Sequence, residues 1–383
     1  MKPGLSVIQI VSPPRAAADG SVGITGPERR AMNLAGQWAG RGIDVTFLYP
    51  RRGSLWRRFV DTGRPVVDFE VIGKWDYRAV MRLVRLVRSH KARLIHTQGG
   101  PAVDLAAVIA GRLTGASVIV TRPVMIEDQQ DRSAASLSVL EAIDRTVTLP
   151  GCSAVVAVSR NGHDRLCRRT APGRVRLIHN GVKAYPAERL TRRTALGRQR
   201  PLHVGMIGHL LPYKGWSDFL RVAALLTAEG LDIRWHIVGE GPERAALETE
   251  VRSLGLADRL EFHGLLHDVS TALFTFDLFL FTSHREGLSV AVLEAMSAGL
   301  PVVATEVAGI RDQVIDGHNG FVLPVRDIAG LASAVRTLAL DHELREVMGS
   351  RSRARMENCF SEQAMIEGYA SLYHEVVDGE GRT

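Results

Sequence analysis

The chain alternates short apolar runs of strand length with longer segments of helical period, and it runs through this alternation twice. Strands that are apolar along their whole length, separated by amphipathic helices, are typical of a parallel sheet covered by helices on both faces. In the first half, the predicted strands span 5–11, 44–49, 94–96, 117–121, 154–158 and 176–178, and the helices span 27–41, 77–89, 102–113, 134–148 and 160–169. In the second half, the predicted strands span 203–207, 234–238, 260–263, 278–282 and 301–304, and the helices include 217–229, 242–254 and 290–298.

The length of 383 residues agrees with two domains at ~100–200 residues each. The segment 184–200 is polar and basic, contains Pro186 and Gly197, and is interpreted as a linker. We therefore predict two doubly wound α/β domains, 1–185 together with 361–383, and 200–360. Ligands of such sheets bind outside the carboxyl ends of the strands, so we expect a ligand site in the cleft between the domains.

Charge is distributed unevenly along the chain. Residues 1–185 carry 28 Lys and Arg against 14 Asp and Glu, a net +14, whereas 186–383 carry 20 against 27, a net −7. This asymmetry indicates an anionic surface or ligand for the first half. A nucleic acid is not expected as the partner, since the chain contains no nucleic-acid-binding module.

Cysteine usage and hydropathy restrict the compartment. The three cysteines form no Cys-x-x-Cys pair, which argues against a disulfide framework or a zinc site and favours a reducing compartment. The apolar run at 5–11 is too short and too interrupted for a signal peptide, and no uncharged apolar stretch approaches the ~18 residues of a membrane span. We expect a cytoplasmic protein, either free or on the cytosolic face of a membrane.

The loop 207–215 leaves a predicted strand and enters a predicted helix. Gly208 and Gly215 allow backbone to approach a ligand, and Lys214 places a positive charge beside a helix N-terminus, a combination that suits a phosphate. The same residues are also compatible with an ordinary strand-to-helix loop that carries a solvated lysine.

A second loop, 283–289, precedes the helix 290–298. The amides of Leu288, Ser289 and Val290 would point out of a helix N-terminus, where anions bind, unless Ser289 is simply the N-cap. Glu294 lies among apolar residues, where an unpaired carboxylate is costly, and could take two hydroxyls of a ribose. Glu286 could reach sugar hydroxyls.

Three further glycine-containing stretches follow or precede predicted strands and are compatible with either turns or site loops. Gly239 and Gly241 close a strand before Pro242, which is interpreted as the first residue of a helix. Gly26 opens a helix of the first domain in a similar way, and His96 ends a strand just before a glycine pair.

Together these stretches resemble the family 4 (group 1) glycosyltransferases of the two-domain GT-B fold. The resemblance rests on His179-Asn180-Gly181, on the loop from Gly208 to Gly215, on Gly239-Glu240-Gly241-Pro242, and above all on 286–304. That last stretch has the family's Glu-x7-Glu pair, Glu286 and Glu294, followed by Gly-x-Pro-Val-Val. The similarity is strong in the second domain and loose in the first.

The resemblance implies transfer of a sugar from a nucleotide-sugar donor to a saccharide or lipid-linked acceptor, with retention of configuration. It implies no metal and no cofactor besides the donor, and a last helix that crosses back onto the first domain. Lys214 would bind the diphosphate, Glu294 the ribose, and Glu286 the donor sugar near its reacting carbon. The residues assigned to catalysis are Glu286, Lys214 and His96, and those assigned to donor binding are Gly26, Gly208, His209, Lys214, Gly239, Gly241, Leu288, Ser289, Val290 and Glu294.

The sequence departs from the family pattern at two positions. His209 stands where members usually have an arginine on the diphosphate, and a neutral histidine does not replace a bidentate guanidinium. Pro123 stands where members often carry a histidine. The neighbouring Arg122 either holds a phosphate or an anionic acceptor or is a surface arginine, and His96 is a weak replacement for the missing histidine.

The basic first half contains a helix whose arginines, among them Arg78, Arg82 and Arg85, lie opposite its apolar face. Before it, the stretch 51–59 combines arginines with Trp56 and Phe59. This composition is typical of a peripheral contact with an anionic membrane, and equally of a solvated arginine-rich surface.

Two other function classes compete with a transferase. An epimerase or a phosphorylase of the same fold is disfavoured by the order of the motifs. A non-catalytic subunit that retains the nucleotide pocket is favoured by the departures at His209 and Pro123, and disfavoured by the intact pair of Glu286 and Glu294.

Overall fold

The computed structural model describes residues 4–12, 26–38, 40–53, 55–73, 75–123, 134–190, 201–266 and 268–379. These residues divide into two compact units. The first contains the described residues up to Asn180 and those from Gln363 onward, and the second spans Gly181–Glu362. The sequence-based domain limits, 1–185 with 361–383 and 200–360, stay a prediction.

The first unit is built on a sheet of seven parallel strands in the order β3-β2-β1-β4-β5-β6-β7. Its strands are β1 (Leu5–Val11), β2 (Ile43–Tyr49), β3 (Val66–Asp68), β4 (Leu94–Gln98), β5 (Ser117–Arg122), β6 (Ala154–Ala157) and β7 (Val175–Leu177). Its helices are α1 (Gly26–Ala35), α2 (Trp56–Asp61), α3 (Tyr77–Ser89), α4 (Pro101–Thr114), α5 (Ala134–Ile143), α6 (Arg160–Cys167) and the C-terminal helix described below.

Both faces of this sheet are covered, which explains why its strands are apolar throughout. Ile8 of β1 packs in a cluster that contains Leu83 of α3, whereas its neighbour Val7 packs in a cluster on the opposite face. Successive side chains of a strand point to opposite faces, so a strand with helices on both sides has no polar face.

The C-terminal helix, Glu362–Asp378, packs in the first unit. Tyr369 and Tyr373 are fully buried in the same cluster as Trp38, whose ring centroid lies 5.3 Å from that of Tyr373. Glu375 forms an ion pair with Arg176. The expectation that the last helix returns to the first domain is therefore confirmed.

The second unit contains six parallel strands in the order β10-β9-β8-β11-β12-β13. They are β8 (Leu202–Ile207), β9 (Ile233–Val238), β10 (Leu260–Gly264), β11 (Leu278–Phe281), β12 (Val302–Thr305) and β13 (Gly320–Leu323). The helices, numbered on from α6, are α7 (Trp216–Ala228), α8 (Arg244–Ser253), α9 (Ser270–Leu273), α10 (Val290–Ser297), α11 (Ile310–Gln313), α12 (Ile328–Leu340) and α13 (His342–Cys359), and the C-terminal helix is α14.

The fold class predicted from the sequence, two doubly wound parallel sheets, is confirmed, but several elements were missed. The edge strand β3 has three residues and a half-buried pattern, which leaves little apolar signal. Helix α13 contains the charged stretch 351–357 and buries chiefly Met348, Gly349, Ser352 and Met356, so it shows no apolar stripe. A Cβ on Gly349 would lie 2.3 Å from the carbonyl oxygen of Gly299, so close backbone packing replaces large side chains there.

Other boundaries differ by a few residues. Helix α1 ends at Ala35 rather than 41, and α8 begins at Arg244, which leaves Pro242 in the preceding turn. The predicted linker 184–200 includes a helical turn at 187–190, and 191–200 lie outside the described residues. No helix within the described ranges is long and apolar enough to cross a bilayer.

Candidate functional site

The strand order of the second unit determines where its loops diverge. From β8 the chain adds β9 and β10 on one side, and it then returns to β11 on the other side of β8. The loops that follow β8 and β11 therefore leave in opposite directions from adjacent strands. In open α/β sheets this switch point is the place where ligands bind.

Lys214 and Glu286 meet at the switch point. Lys214 belongs to a 3-10 turn, Pro212–Lys214, after β8, and Glu286 belongs to the loop after β11. The Lys214 ammonium forms an ion pair with Oε1 of Glu286, and both side chains are more than four-fifths buried. Burial opposes the charged ammonium, but attraction to Glu286 and Tyr213, together with the hydrogen bond to Glu286, raises the pKa of Lys214 overall. The ammonium therefore stays protonated at neutral pH, paired with the Glu286 carboxylate.

Gly215 lets the two loops approach each other this closely. Its φ is +72°, and a Cβ there would lie 1.9 Å from the carbonyl oxygen of Thr282. The Thr282 hydroxyl donates to the Gly215 carbonyl at 2.8 Å. Beside this contact, Nε2 of His284 lies 2.7 Å from Oδ2 of the buried Asp218 in α7. Backbone contact and buried polar pairs thus fix the position of Lys214 relative to Glu286.

The loops after β8 and β9 also pack backbone against backbone. A Cβ on Gly239 would lie 1.9 Å from the carbonyl oxygen of Gly208, and one on Gly241 would lie 2.6 Å from that of Leu210. The Gly208 amide donates to the Val238 carbonyl at 3.0 Å. Of the site residues predicted from the sequence, Gly208, Gly239 and Gly241 are therefore close together.

His209 lies between these glycines and Lys214. Its carbonyl accepts a hydrogen bond of 2.8 Å from Nε1 of Trp216, the first residue of α7. This bond fixes the His209 backbone at the start of the loop.

Two side chains, those of Ser289 and Gln313, bond to backbone groups at the N-terminus of α10. Ser289 is the N-cap, and its hydroxyl accepts from the Val292 amide at 3.5 Å. The Ser289 amide donates to Oε1 of Gln313 at 3.1 Å, and Nε2 of Gln313 donates to the Ser289 carbonyl at 2.7 Å. The interpretation of Ser289 as an N-cap is therefore correct, and the expectation that its amide is available for phosphate is wrong.

Gly309 lies in the loop after β12, at a position where only a glycine fits. A Cβ there would lie 1.7 Å from the carbonyl oxygen of Gly287, so the loop after β12 packs against the loop before Leu288. Gln313 and Gly309 together support the loop that contains Leu288 and Ser289. Sequence analysis missed the role of Gln313, because a glutamine 24 residues away from Ser289 has no local signal.

Glu294 lies in the second turn of α10 and is buried. Val290 is the first residue of the same helix, and Glu286 lies in the loop before it. The second unit thus carries both members of the Glu-x7-Glu pair on one loop and helix, and it brings Glu286 into direct contact with Lys214.

His96 of the first unit does not fit the predicted catalytic role. It is fully buried, its Nδ1 lies 2.5 Å from the Tyr373 hydroxyl, and its Nε2 lies 2.8 Å from the Thr121 hydroxyl. Burial and the nearby Arg30 lower the pKa of His96 to about 3, so the ring is neutral. Both ring nitrogens are bonded within the core, and His96 anchors α14 to the sheet rather than facing a substrate.

Arg122 is neither a surface arginine nor available to a phosphate. Its Nη1 lies 3.1 Å from Oδ2 of Asp104, and its Nη2 forms a second ion pair with Asp144; all three side chains are buried. Two carboxylates already neutralise the guanidinium, so an anionic ligand would have to displace one of them. Both sequence-based alternatives for Arg122 are wrong.

The remaining predicted residue of the first unit, Gly26, is the first residue of α1, and the loop before it, 13–25, lies outside the described residues. Arg30 of α1 belongs to a buried polar cluster that the sequence analysis missed. Nε and Nη1 of Arg30 donate to Gln98 and Asn180, each at 2.8 Å. This cluster holds α1 against the carboxyl end of β4.

A cavity of about 930 Å³ in the second unit lies away from these loops. Leu202, Ile233 and Pro301 line it, and these residues stand at the amino ends of strands β8, β9 and β12 or just before them. Because doubly wound sheets bind ligands at the carboxyl ends of their strands, we place the functional site at the switch point and not in this cavity.

Comparison with known proteins identifies the family. The sequence profile described as "Glycosyl transferases group 1" matches residues 190–355, and the profile described as "Glycosyltransferase Family 4" matches residues 24–184. The two matches follow one another along the chain and together span most of it.

Curated relatives match either one half or nearly all of the chain. N-acetyl-alpha-D-glucosaminyl L-malate synthase of Bacillus anthracis is 31% identical over 161 residues, which cover 42% of this chain and 42% of that protein. The lipopolysaccharide core biosynthesis glycosyltransferase LpsD of Rhizobium meliloti is 29% identical over 351 residues, 91% of this chain and 94% of that protein. The chain thus spans about half the length of several relatives, and nearly the full length of LpsD.

Solved structures share the fold at low sequence identity. Anabaena HepE, solved in complex with UDP and glucose, has a TM-score of 0.78 at 19% identity, with 95% of this chain and 98% of that chain covered. Sucrose-phosphate synthase from Thermosynechococcus elongatus has a TM-score of 0.78 at 18% identity, with 97% and 99% covered. With the two profile matches and the two doubly wound sheets, these similarities show that the chain belongs to the group 1, family 4 glycosyltransferases and has the GT-B fold.

Proposed function

We propose that the protein transfers a sugar from a nucleotide-sugar donor to a saccharide or lipid-linked acceptor, with the nucleotide held by the second unit. The observation that carries this proposal is the contact between Lys214 and Glu286 at the switch point of the second sheet. Family membership supports the same assignment, and the relative LpsD is named for lipopolysaccharide core biosynthesis.

The charges at the site suit a leaving nucleoside diphosphate. Breaking the bond between the sugar and the diphosphate leaves extra negative charge on phosphate, and a fixed cation in a water-poor site stabilises that charge. Lys214 provides such a cation, since its ammonium is buried and remains protonated. Glu286, on the other side of the ion pair, would contact the donor sugar close to its reacting carbon.

We further propose that Glu294 binds the ribose, that the donor passes the backbone of Gly208, Gly239 and Gly241, and that transfer proceeds with retention and without a metal. A Cβ on Gly239 or Gly241 would collide with the backbone of the loop after β8, whereas one on Gly208 would meet only ordinary contacts. A lysine at the diphosphate position supplies the positive charge that a metal would otherwise bring.

The test measures release of free nucleotide from UDP-, GDP- and ADP-sugars by wild-type protein and by Glu286→Gln, which keeps the shape and removes the charge. We expect the variant to lose ~100-fold or more of the release rate. Glu229→Gln is the matched control, because Glu229 forms an ion pair with Arg336 at the opposite end of α7. Equal rates for all three proteins would contradict the proposal.

The alternative is a subunit that binds nucleotide sugar without turnover, which the histidine at position 209 favours. Calorimetry with the same donors separates the two. Binding of a donor without hydrolysis or transfer under any acceptor condition would support the subunit, whereas nucleotide release that depends on Glu286 supports the enzyme.

We also propose that the first unit touches an anionic membrane surface through α3 and the segment before it. Ile72, Trp75 and Tyr77 are 80%, 74% and 68% exposed, and they are followed by the exposed arginines 78, 82 and 85 of α3. Each arginine near an anionic surface contributes ~1 kcal/mol. The aromatic residue predicted for this role at position 59 is instead buried, against Phe47 at 4.9 Å between ring centroids.

Flotation with anionic and with neutral liposomes tests this contact. We expect the wild type to float with anionic vesicles, and Trp75→Ser to lose most of that fraction. Leu340→Ser is the matched control, because Leu340 is a similarly exposed apolar residue of the second unit. No flotation with either vesicle, or equal loss in both variants, would contradict the contact without affecting the proposed transfer activity.

A further inference from the structure

Three histidines form a row across adjacent strands of the second sheet. His203 lies on β8, His236 on β9 and His263 on the edge strand β10. The centroids of the His203 and His236 rings are 5.0 Å apart, and those of His236 and His263 are 5.2 Å apart. Glu261 stands opposite His236 in the register of β9 and β10. None of these residues belongs to the proposed donor site.

Two of the rings direct nitrogens toward each other at the spacing of two ligands on one ion. Nδ1 of His236 lies 2.9 Å from Nε2 of His263. Two imidazole nitrogens bound to one Zn²⁺ at ~2.0–2.1 Å with an angle near tetrahedral or smaller are ~2.9–3.4 Å apart. The His263 ring is partly exposed, and its rotation would turn this hydrogen bond into a chelating pair.

A carboxylate stands beside both rings, and it faces the second nitrogen of His263 rather than the one directed at His236. Oε2 of Glu261 lies 3.9 Å from Nδ1 of His236, and its Oε1 lies 3.5 Å from Nδ1 of His263. Within the described part of the chain, His236, Glu261 and His263 are grouped closely enough to share one ion. Because the Glu261 side chain is mostly exposed, it is free to move the remaining distance.

The buried ring is held from behind. Nε2 of His236 lies 2.8 Å from Nδ1 of His203. The ring of Phe276 stacks on the His236 ring, with centroids 5.3 Å apart. Histidines that ligate metals usually bond through their second nitrogen to a partner, which fixes the ring orientation. His203 occupies that place here.

We propose that His236, Glu261 and His263 form a binding site for one divalent transition-metal ion of the zinc class, with His203 as the positioning residue behind His236. Two imidazoles and a carboxylate suit Zn²⁺, Ni²⁺ or Co²⁺, whereas Mg²⁺ and Ca²⁺ require oxygen ligands. The ion links β9 to β10 and so fastens the edge strand to the rest of the sheet. It is a structural ion and takes no part in the proposed sugar transfer.

The position of the site also ties it to the loop after β9. Gly264, next to His263, accepts a hydrogen bond of 2.9 Å from the Gly239 amide. Fixing β10 to β9 by an ion therefore stabilises the strand ends from which this loop departs.

The test uses the untagged full-length protein, stripped with chelator and titrated with ZnCl₂ by calorimetry and by thermal unfolding. We expect one high-affinity Zn²⁺ per chain and a rise in Tm on binding. His203→Ala should weaken Zn²⁺ binding by ~10–100-fold, and His263→Gln and Glu261→Gln, which each remove a ligand, should weaken it at least as much. Both ligand positions are at least partly exposed, so their variants should retain the fold, which circular dichroism checks.

His163 and Cys167 provide the comparison, since they form another pair of metal-binding side chains, with Sγ 3.7 Å from Nε2. Cys167→Ser should leave Zn²⁺ affinity unchanged, and the Co²⁺-loaded protein should show ligand-field bands without a thiolate-to-metal charge-transfer band. The proposal is overturned if the stripped protein binds no Zn²⁺ at 1:1 stoichiometry, if His263→Gln binds as tightly as wild type, or if Cys167→Ser abolishes binding. None of these outcomes depends on glycosyltransferase activity.

Discussion

Substitution of Gly215 by alanine tests whether close backbone packing holds Lys214 beside Glu286. Two costs are expected. An alanine with φ near +72° loses ~1–2 kcal/mol relative to glycine, and its Cβ would lie 1.9 Å from the Thr282 carbonyl oxygen, which forces the loops apart at a typical overpacking cost of ~1–3 kcal/mol. The sum predicts ~2–5 kcal/mol of destabilisation for the second unit.

Gly230 is the matched control for this substitution. It follows the other end of the same helix α7, its φ is +82°, and nothing lies within 4 Å of the Cβ that an alanine would add. Gly230→Ala should therefore show the backbone cost alone, ~1–2 kcal/mol.

The two variants are compared by urea unfolding followed by circular dichroism, and by calorimetric titration with the donor or its nucleoside diphosphate. We expect Gly215→Ala to lower the midpoint further than Gly230→Ala and, alone of the two, to weaken nucleotide binding by ~10-fold or more, because it displaces Lys214. Equal midpoints would refute the packing argument. A larger midpoint shift with unchanged nucleotide affinity would refute the link between this packing and the site.

Three further predictions concern single side chains. Arg122→Leu should destabilise the first unit by ~3–5 kcal/mol, because it leaves two buried carboxylates without their guanidinium partner. Nucleotide affinity measured by calorimetry should not change. A selective loss of nucleotide affinity would restore the interpretation of Arg122 as a ligand contact. Burial lowers the pKa of His96 to about 3, so between pH ~6.5 and 3 only the unfolded state takes up a proton on this ring. The free energy of unfolding should therefore fall by up to ~1.4 kcal/mol per pH unit as the pH decreases through this range. His96→Gln should show a shallower pH dependence in urea unfolding between pH ~6.5 and ~4. His209→Arg should tighten nucleotide binding by ~10-fold or more by adding a charged donor, and unchanged or weaker binding would place position 209 away from the diphosphate.

Features encoded locally were the ones that the sequence predicted well. Alternating apolar runs and helical periods gave most strands and helices of both sheets, because burial on two faces leaves a continuous apolar signature. The glycines 208, 215 and 239 could be singled out because each falls between a strand and a helix, and the structure shows that Gly215 and Gly239 meet carbonyl oxygens where a Cβ would collide.

Features that depend on pairing between distant elements were missed. Arg122 is singled out in the sequence only as a ligand contact or a surface arginine. Its partners Asp104 and Asp144 lie on α4 and in a π-helical turn, and nothing in the sequence relates them to β5. In the same way, the sequence shows Glu261 and His263 two residues apart, but only the strand register brings His236 to them. A local motif such as Cys-x-x-Cys does not indicate a metal site whose ligands lie on two different strands.

The two sheets share one winding order but differ in what stands at the switch point, and this difference carries more functional information than the charge of each half. In the second unit the loops after β8 and β11 bring a cation and a carboxylate together, although that half of the chain is net negative. In the first unit the corresponding strands are β1 and β4, and β4 ends in Gln98. The side-chain oxygens of Gln98 and Asn180 accept hydrogen bonds from the Arg30 guanidinium. Among the described residues, the groups that this guanidinium contacts are therefore amides and not a carboxylate. Net charge sums over surface arginines such as those of α3, and it therefore indicates only which surface would suit an anionic partner. The location of the proposed phosphate site follows from strand order, because the switch point brings one buried lysine and the backbone of two diverging loops to the same place.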